Sequence, residues 1–376
     1  MPTPVAQPFS IDVPDEVLAD LRDRLARTRL LPDSPGKPAS GMSAAYLAEL
    51  IASWRQFDWR ARERWLNEHP QYLVDLGDVT VHFTHLRSAR DDAPVLLVMH
   101  GWPHTFALQL AFADLLTDFH VVVPSLPGFA FSSPYRSGLL HNLRLAETMH
   151  RLMTDVLGYD RYLTYGEDVT ADVNDLLAAT HPESVRGVIV THAHFPTMAE
   201  RANLDDPPAI AFFERLDAER YAMSGYAHEQ GTRPDTLAIG LNDSPAGLLG
   251  WITEKLVEWS DTPEGDPRGV ERRIARERIL TEATIYWVTQ TIASSFRPYF
   301  EARAEPPIPP VAIPASVHIQ RHERDNPESV ARAFYRDLRT FERLDEGGHF
   351  AVAEVPAAMA ERTRAFAREL GLLAVV

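Results

Sequence analysis

An aspartate at the tip of a strand–turn–helix pattern is where chemistry can first be read in this chain. Asp168 stands in Tyr165-Gly166-Glu167-Asp168-Val169-Thr170, after the apolar run Arg161 to Tyr165 and before a helix-like segment, Ala171 to Ala179. A tight turn between strand and helix lifts a side chain clear of both elements, which is the layout of a nucleophile elbow. A serine there would attack a carbonyl carbon. A carboxylate attacks an sp3 carbon and becomes an ester itself. The elbow therefore points to epoxide opening or halide displacement rather than ester cleavage. An aspartate before a helix is also a common N-cap, so its partners must decide.

Such a nucleophile needs a base for water, donors for an oxyanion and an acid for the leaving oxygen. In α/β-hydrolases the histidine comes last in chain order, after its supporting acid. His349 fits, in Asp345-Glu346-Gly347-Gly348-His349-Phe350 directly after the last expected strand. Glu323, closing Val317-His318-Ile319-Gln320-Arg321-His322-Glu323, is the expected acid, with Asp325 as its rival. Asp345 and Glu346 stand too near His349 in sequence to support it from behind. The oxyanion donors would be backbone N–H groups, one from Val169 and one from Trp102 in the loop His100-Gly101-Trp102-Pro103.

The elements around these residues suggest how they are positioned. Val95 to Met99, Val121 to Val123, Tyr162 to Tyr165 and Val188 to Val190 are short apolar runs separated by helix-like stretches, notably Leu139 to Leu157, which stops at Gly158. That alternation predicts a parallel sheet covered on both faces, an α/β architecture. Upstream, 12–30 reads as an amphipathic helix with Leu18, Leu21 and Leu25 on one face. A Pro/Gly/Ser-rich loop, Leu31 to Met42, separates it from a helical stretch running from Ala44 to about Leu66. Val79 to Phe83 alternates like a strand exposed on one face. From Phe195 to Phe300 only helices and loops are expected. Strands resume at Ser316 to Gln320 and Phe341 to Leu344, after a stiff proline-rich connection from Pro306 to Pro314, and a helix from Pro356 to Leu370 closes the chain. The expected organisation is an N-terminal segment over 1–78, a core over 79–195 and 303–376, and a helical cap over 196–302.

Composition excludes several classes. The 376 residues can bury a sizeable core, and 53 acidic against 37 basic side chains leave a formal charge of −16, which argues against nucleic-acid or anionic-membrane partners. With no cysteine, disulfides and thiolate chemistry are impossible. Met1 to Ser10 lacks the pattern of a signal peptide, and no apolar run approaches the roughly 20 residues of a spanning helix. A cytoplasmic protein is expected, with no metal or cofactor; a homodimer stays open. His192 and His194, two apart, could share a strand face and bind metal, but no third ligand suggests itself and ordinary strand or rim histidines are the simpler reading.

Together these motifs resemble an epoxide hydrolase of the microsomal and juvenile-hormone type. The likeness spans most of the chain: Phe57-Asp58-Trp59-Arg60, Leu66-Asn67 and His82-Phe83 in the N-terminal segment, His100-Gly101-Trp102-Pro103, Pro124-Ser125-Leu126-Pro127-Gly128-Phe129 and Gly347-Gly348-His349-Phe350 in the core. In the cap, Gly225-Tyr226, Thr232-Arg233-Pro234-Asp235-Thr236, Asn242-Asp243-Ser244-Pro245 and Ser294-Ser295-Phe296-Arg297-Pro298-Tyr299 are similar to family segments. The resemblance implies an N-terminal segment wrapping the α/β-hydrolase core. It also implies that Tyr226 and Tyr299 protonate the epoxide oxygen, and it favours Glu323 over Asp325. The elbow departs from the family's usual Gly-Gly-Asp-Trp-Gly. Val169 opens space beside the nucleophile, Thr170 could shift the turn, and Glu167, if it pointed inward, would raise the pKa of Asp168.

The implied reaction converts a small-molecule epoxide to a vicinal diol through an ester on Asp168. Two alternatives compete. A haloalkane dehalogenase also uses an aspartate elbow, but needs side-chain N–H donors and has no use for cap tyrosines. A non-catalytic ligand-binding relative finds support in the altered elbow alone.

Overall fold

The structure is a computed structural model, described here for residues 4–35, 41–301 and 306–374. Among these residues nine strands make one sheet: β1 (Gln7–Phe9), β2 (Gln71–Asp75), β3 (Thr80–Leu86), β4 (Val95–Met99), β5 (His120–Pro124), β6 (Tyr162–Gly166), β7 (Val185–Val190), β8 (Val311–Ile319) and β9 (Tyr335–Arg343). Their order is β1-β2-β3-β5-β4-β6-β7-β8-β9. The first three strands run antiparallel through to β5, and everything from β5 to β9 is parallel. This is an α/β-hydrolase sheet with helices on both faces.

The apolar strands β4, β5 and β6 are buried along their whole length. Their alternate residues feed two cores. Leu97, Met99 and Val122 enter one, while Leu96, Val98, Val121, Val123, Leu163 and Tyr165 enter the other. Successive side chains of a strand point to opposite faces, so only continuous hydrophobicity serves a sheet covered twice.

Several sequence expectations are corrected. The helical stretch from Ala44 to Leu66 is two helices, Ala44–Arg55 and Trp59–Asn67, because Asp58 caps the second by accepting the Ala61 N–H at 3.0 Å. The strand around Val79 to Phe83 has no exposed face. Val81 to Thr84 are all buried, because Val81 and Phe83 enter the core on one face while aromatic rings close over His82 on the other. His82 sits against the rings of Phe9, Phe106 and Phe131 and bonds the Ser125 hydroxyl at 2.8 Å and Gln71 Oε1 at 2.9 Å. Strands β1 and β2 were not foreseen. The proline-rich connection is shorter than expected, since β8 begins at Val311 and takes Pro314 into its ladder with β9. Residues 36–40 of the loop between Leu31 and Met42, and the cap boundary at 302–303, lie outside the described residues.

The first helix, Asp15–Ala26, buries Leu18, Leu21 and Leu25. The N-terminal segment is then tied down by polar bonds. Asn67 exchanges two 2.8 Å hydrogen bonds with the backbone of Ile11, Glu63 accepts the Val13 N–H at 2.8 Å, and the Trp54 indole donates to Thr284 at 2.8 Å. The last bond links this segment to the helix Arg276–Thr289. Between β7 and β8 the described residues, from Met198 to Glu301, contain helices and no strand. No described helix is long and apolar enough to cross a membrane.

Candidate active site

The elbow starts where β6 ends at Gly166. Asp168 has φ +54°, a left-handed conformation that costs a residue with a Cβ roughly 1–3 kcal/mol and persists only where the surroundings hold it. Here the Glu167 N–H donates to the Thr170 hydroxyl at 3.1 Å and the Thr170 N–H to the Glu167 carbonyl at 3.0 Å. Thr170 thus closes the turn instead of disturbing it. The loop after β4 passes so close that a Cβ on Gly101 would lie 2.5 Å from the Asp168 Cβ. Only glycine permits that approach, and it carries the next N–H, that of Trp102, to 2.8 Å from Asp168 Oδ1.

The other carboxylate oxygen, Oδ2, lies 3.1 Å from His349 Nε2, and His349 Nδ1 lies 2.7 Å from Glu323 Oε2. The structure therefore brings Asp168, His349 and Glu323 into one chain of contacts. Asp325 instead pairs with Arg343 at 2.5 Å on the surface, and Glu346 with Arg273 at 2.7 Å. His349 is fixed through its own backbone, whose N–H donates to the Trp259 carbonyl at 2.8 Å. Gly348 makes that possible, since a Cβ there would lie 2.6 Å from the same oxygen.

Charge explains the protonation states. Burial opposes ionisation of Asp168, but the bond and charge of His349 and the backbone N–H groups of Trp102 and Val169 hold its carboxyl below the usual value. Burial also opposes a charged His349; the Glu323 charge and the bonds to Asp168 and Glu323 prevail and push it up to about 10. Glu323 falls well below the usual carboxylate range because His349 and His192 outweigh its burial.

Tyr226, on the helix Gly225–Thr232, and Tyr299, on Arg297–Glu301, come from separate helices to face one another, with ring centroids 5.8 Å apart. Both pack on Trp102, at 5.5 and 5.9 Å. Burial and then the Asp168 charge raise both phenols, and the buried Tyr299 hydroxyl faces that of Tyr226. These groups line a cavity of about 490 Å³, with Val169 and Trp259 in its wall.

Glu167 does not point at the nucleophile. It turns into the core behind the elbow, where His104 Nε2 and Gln109 Nε2 each lie 2.7 Å from Oε1 and the Tyr165 hydroxyl donates to Oε2. The condition for an upward push on Asp168, a Glu167 turned toward it, is therefore not met.

His192 and His194 lie beyond the end of β7 and diverge. His194 stacks on Phe334 at 3.7 Å, whereas His192 reaches Glu323. Sequence reasoning missed that contact and the Trp259 ring, which sits between His349 and Tyr226 at 5.1 and 4.9 Å. The position of His192 at the carboxyl end of the strand beside β6 was a usable signal for the first; nothing local announces the second. Among the described residues the one group of three metal-ligand types is His192, Glu323 and His349, with ligand atoms within 4.8 Å. Each of those atoms already has a hydrogen-bond partner.

Comparison with known proteins agrees with this geometry. A family model described as the epoxide hydrolase N terminus matches residues 6–108, and one described as the alpha/beta hydrolase fold matches residues 94–231. A protein of Stigmatella aurantiaca (strain DW4/3-1), provisionally named an epoxide hydrolase, is 35% identical over 96% of this chain and 85% of its own. Epoxide hydrolase 1 of Oryctolagus cuniculus is 28% identical over 94% of this chain and 87% of its own. The crystal structure of juvenile hormone epoxide hydrolase from the silkworm Bombyx mori matches with a TM-score of 0.88 at 25% identity, covering 97% of this chain and 95% of that one.

Proposed function

The chain belongs to the epoxide hydrolase family of α/β-hydrolases, and from that premise we propose that Asp168 is the nucleophile that opens the epoxide. The observation that carries this reading is the division between its two oxygens: Oδ1 is held by the Trp102 N–H, while Oδ2 faces His349 at the cavity.

Oδ2 attacks one epoxide carbon and the C–O bond of the ring breaks. The released oxygen takes a proton from Tyr226 or Tyr299, leaving a hydroxyalkyl ester on Asp168. Esterification removes the Asp168 charge and bond, which with Glu323 kept His349 protonated, so the imidazolium proton passes to the tyrosinate and the tyrosine is restored. Neutral His349, oriented by Glu323, then takes a proton from a water that attacks the ester carbonyl. The oxyanion forms at Oδ1, where the Trp102 N–H already points, and the Val169 N–H beside the same carboxyl is the second donor. Collapse expels the alkoxide, which takes the carboxylic proton and leaves as the diol. Asp168 is again ionised beside a protonated His349. The dehalogenase alternative gives way to the family assignment.

In the same reading 1–78 wraps the core, 79–195 and 303–376 form that core, and 196–302 is the cap that brings both tyrosines over the elbow. A cytoplasmic location is proposed on composition alone; recovery of the protein with membranes on cell fractionation would overturn it.

The test is to trap the ester. His349→Gln incubated with aryl, terminal and disubstituted epoxides should accumulate a covalent adduct on the peptide containing Asp168, read by mass spectrometry. Wild type should release diol, and folded Asp168→Ala should do neither. Diol formation by folded Asp168→Ala would overturn the covalent mechanism.

A further inference from the structure

One histidine outside the proposed mechanism ties the nucleophile's backbone to the acid. His192 follows β7 by two residues, and β7 pairs with the elbow strand β6. The Asp168 N–H donates to its Nδ1 at 3.2 Å, with the Thr191 hydroxyl 3.4 Å from the same nitrogen. An accepting Nδ1 places the ring proton on Nε2. That atom lies 3.1 Å from Glu323 Oε2, the same oxygen that His349 Nδ1 reaches at 2.7 Å. The second oxygen, Oε1, accepts the Arg324 N–H at 2.8 Å. Two imidazoles therefore share one carboxylate oxygen. The 3.0 Å between His192 Nε2 and His349 Nδ1 follows from the shared acceptor, because two N–H donors do not bond one another.

Both contacts bear on the reaction. The left-handed Asp168 needs its surroundings to hold it, and the bond to His192 anchors the N–H of that residue itself. A carboxylate with one imidazole donor would spend its whole charge on that imidazole; a second donor divides it. The charged and titratable groups facing His192 are Asp168 and Glu167 from the elbow, Glu323 from the loop after β8, and His349 from the loop after β9.

We propose that His192 is a positioning residue that holds the Asp168 turn and shares the Glu323 charge, so that His349 can release its proton once Asp168 is an ester. The proposal rests on the roles assigned above to Asp168, Glu323 and His349. It makes His192 act through two neighbours by two different atoms, and substitution can separate them. Asparagine carries an amide oxygen where Nδ1 stands, and glutamine carries an amide N–H where Nε2 stands.

His192→Asn keeps the acceptor for the Asp168 N–H and loses the donor to Glu323. In single-turnover measurements ester formation should keep its rate, while the acid limb of ester hydrolysis moves up on the order of one pH unit. His192→Gln should do the reverse, with ester formation slowed about tenfold by a looser turn and the limb unmoved. NMR titration of isotope-labelled histidine gives a readout independent of turnover: the His349 ring should titrate higher in His192→Asn than in wild type. An unchanged His349 titration in His192→Asn would overturn the charge-sharing role. Unchanged ester formation in His192→Gln would overturn the turn-holding role. If wild type forms no ester with any epoxide, the mechanism above fails, and the NMR comparison still decides whether His192 shares the Glu323 charge.

Discussion

Glu167 and Asp168 are consecutive carboxylates on one turn, the first fully buried and the second at a cavity wall, and they meet opposite surroundings. Behind the elbow, Glu167 has partners on both oxygens: His104 and Gln109 on one, the Tyr165 hydroxyl on the other. In front, Asp168 has one oxygen held by backbone and the other turned to a cavity and to a histidine. Both carboxyls lie below their usual pKa despite burial, His104 and Tyr165 prevailing for Glu167 and His349 for Asp168. Ionisation therefore does not separate the structural carboxylate from the proposed nucleophile. Access does: Glu167 is enclosed by core side chains, whereas Asp168 stands in the cavity wall, where a substrate can meet it.

Substitution at the two positions should give the largest contrast. Asp168→Asn should lower diol formation on the order of 10⁴-fold, as loss of a nucleophile or its equivalent does, with a smaller loss of stability than the change at Glu167. Glu167→Ala leaves His104, Gln109 and the Tyr165 hydroxyl facing a buried gap. It should cost about 3–5 kcal/mol of stability in denaturant titration, with turnover per folded molecule falling far less than in Asp168→Asn. Equal losses of rate at the two positions would erase the distinction.

A pair of tyrosines sharpens it at smaller scale. Tyr299→Phe in front removes a hydroxyl that faces only the neutral Tyr226 phenol, so stability should fall by no more than about 1 kcal/mol while the rate of ester formation falls roughly 10–100-fold. Tyr165→Phe behind removes a bond to a charged acceptor. It should cost about 1.5–3 kcal/mol of stability and leave the ester-forming rate within a few-fold. A rate loss confined to Tyr165→Phe would place the acid chemistry on the wrong face.

The smallest effect is in the pH dependence of stability. Glu167 and Asp168 have lowered folded-state pKa values, so each contributes stability above its unfolded value that is lost as pH falls through the folded one. Below about pH 4 the two faces behave alike. His349 is raised to about 10 from an ordinary 6.5, so its contribution is full below 6.5 and lost as pH rises through 10. Only the front face has this alkaline limb. His349→Gln should flatten the loss of stability between pH 6.5 and 10, measured as denaturation midpoints across that range, and leave the acid loss in place. An unaltered alkaline slope would mean that His349 is not held charged by Asp168 and Glu323.

Much of this site is legible in the sequence. Asp168, Glu323 and His349 each stand at an element boundary marked by its own local signal: an apolar run ending in a turn, the end of a strand, a Gly-Gly pair. Glu323 is preferred to Asp325 by resemblance, but only the tertiary structure puts one against His349 and the other against Arg343. The misread elements fail in the opposite way. Asp58 splits a helix through one capping bond inside an otherwise helical pattern, and β1 is a three-residue strand held by pairing with the distant Gln71 to Leu73. His82, polar in an alternating segment, reads as solvent-facing until three aromatic rings from distant segments close over it.

By itself the sequence determined the periodicity of the buried strands, the turn at Asp168 and the order of acid and base along the chain. These depend on interactions between residues a few positions apart, where a Cβ, a missing Cβ or a run of branched apolar side chains decides the backbone. Only the tertiary structure decided which way Glu167 points, that His192 reaches Glu323 while His194 does not, and that Trp259 lies between His349 and Tyr226. The Glu167 contact with His104 joins residues 63 apart in the chain, and that of His192 with Glu323 joins residues 131 apart. A donor brought to an oxygen across such a distance leaves no mark in the local pattern of either segment.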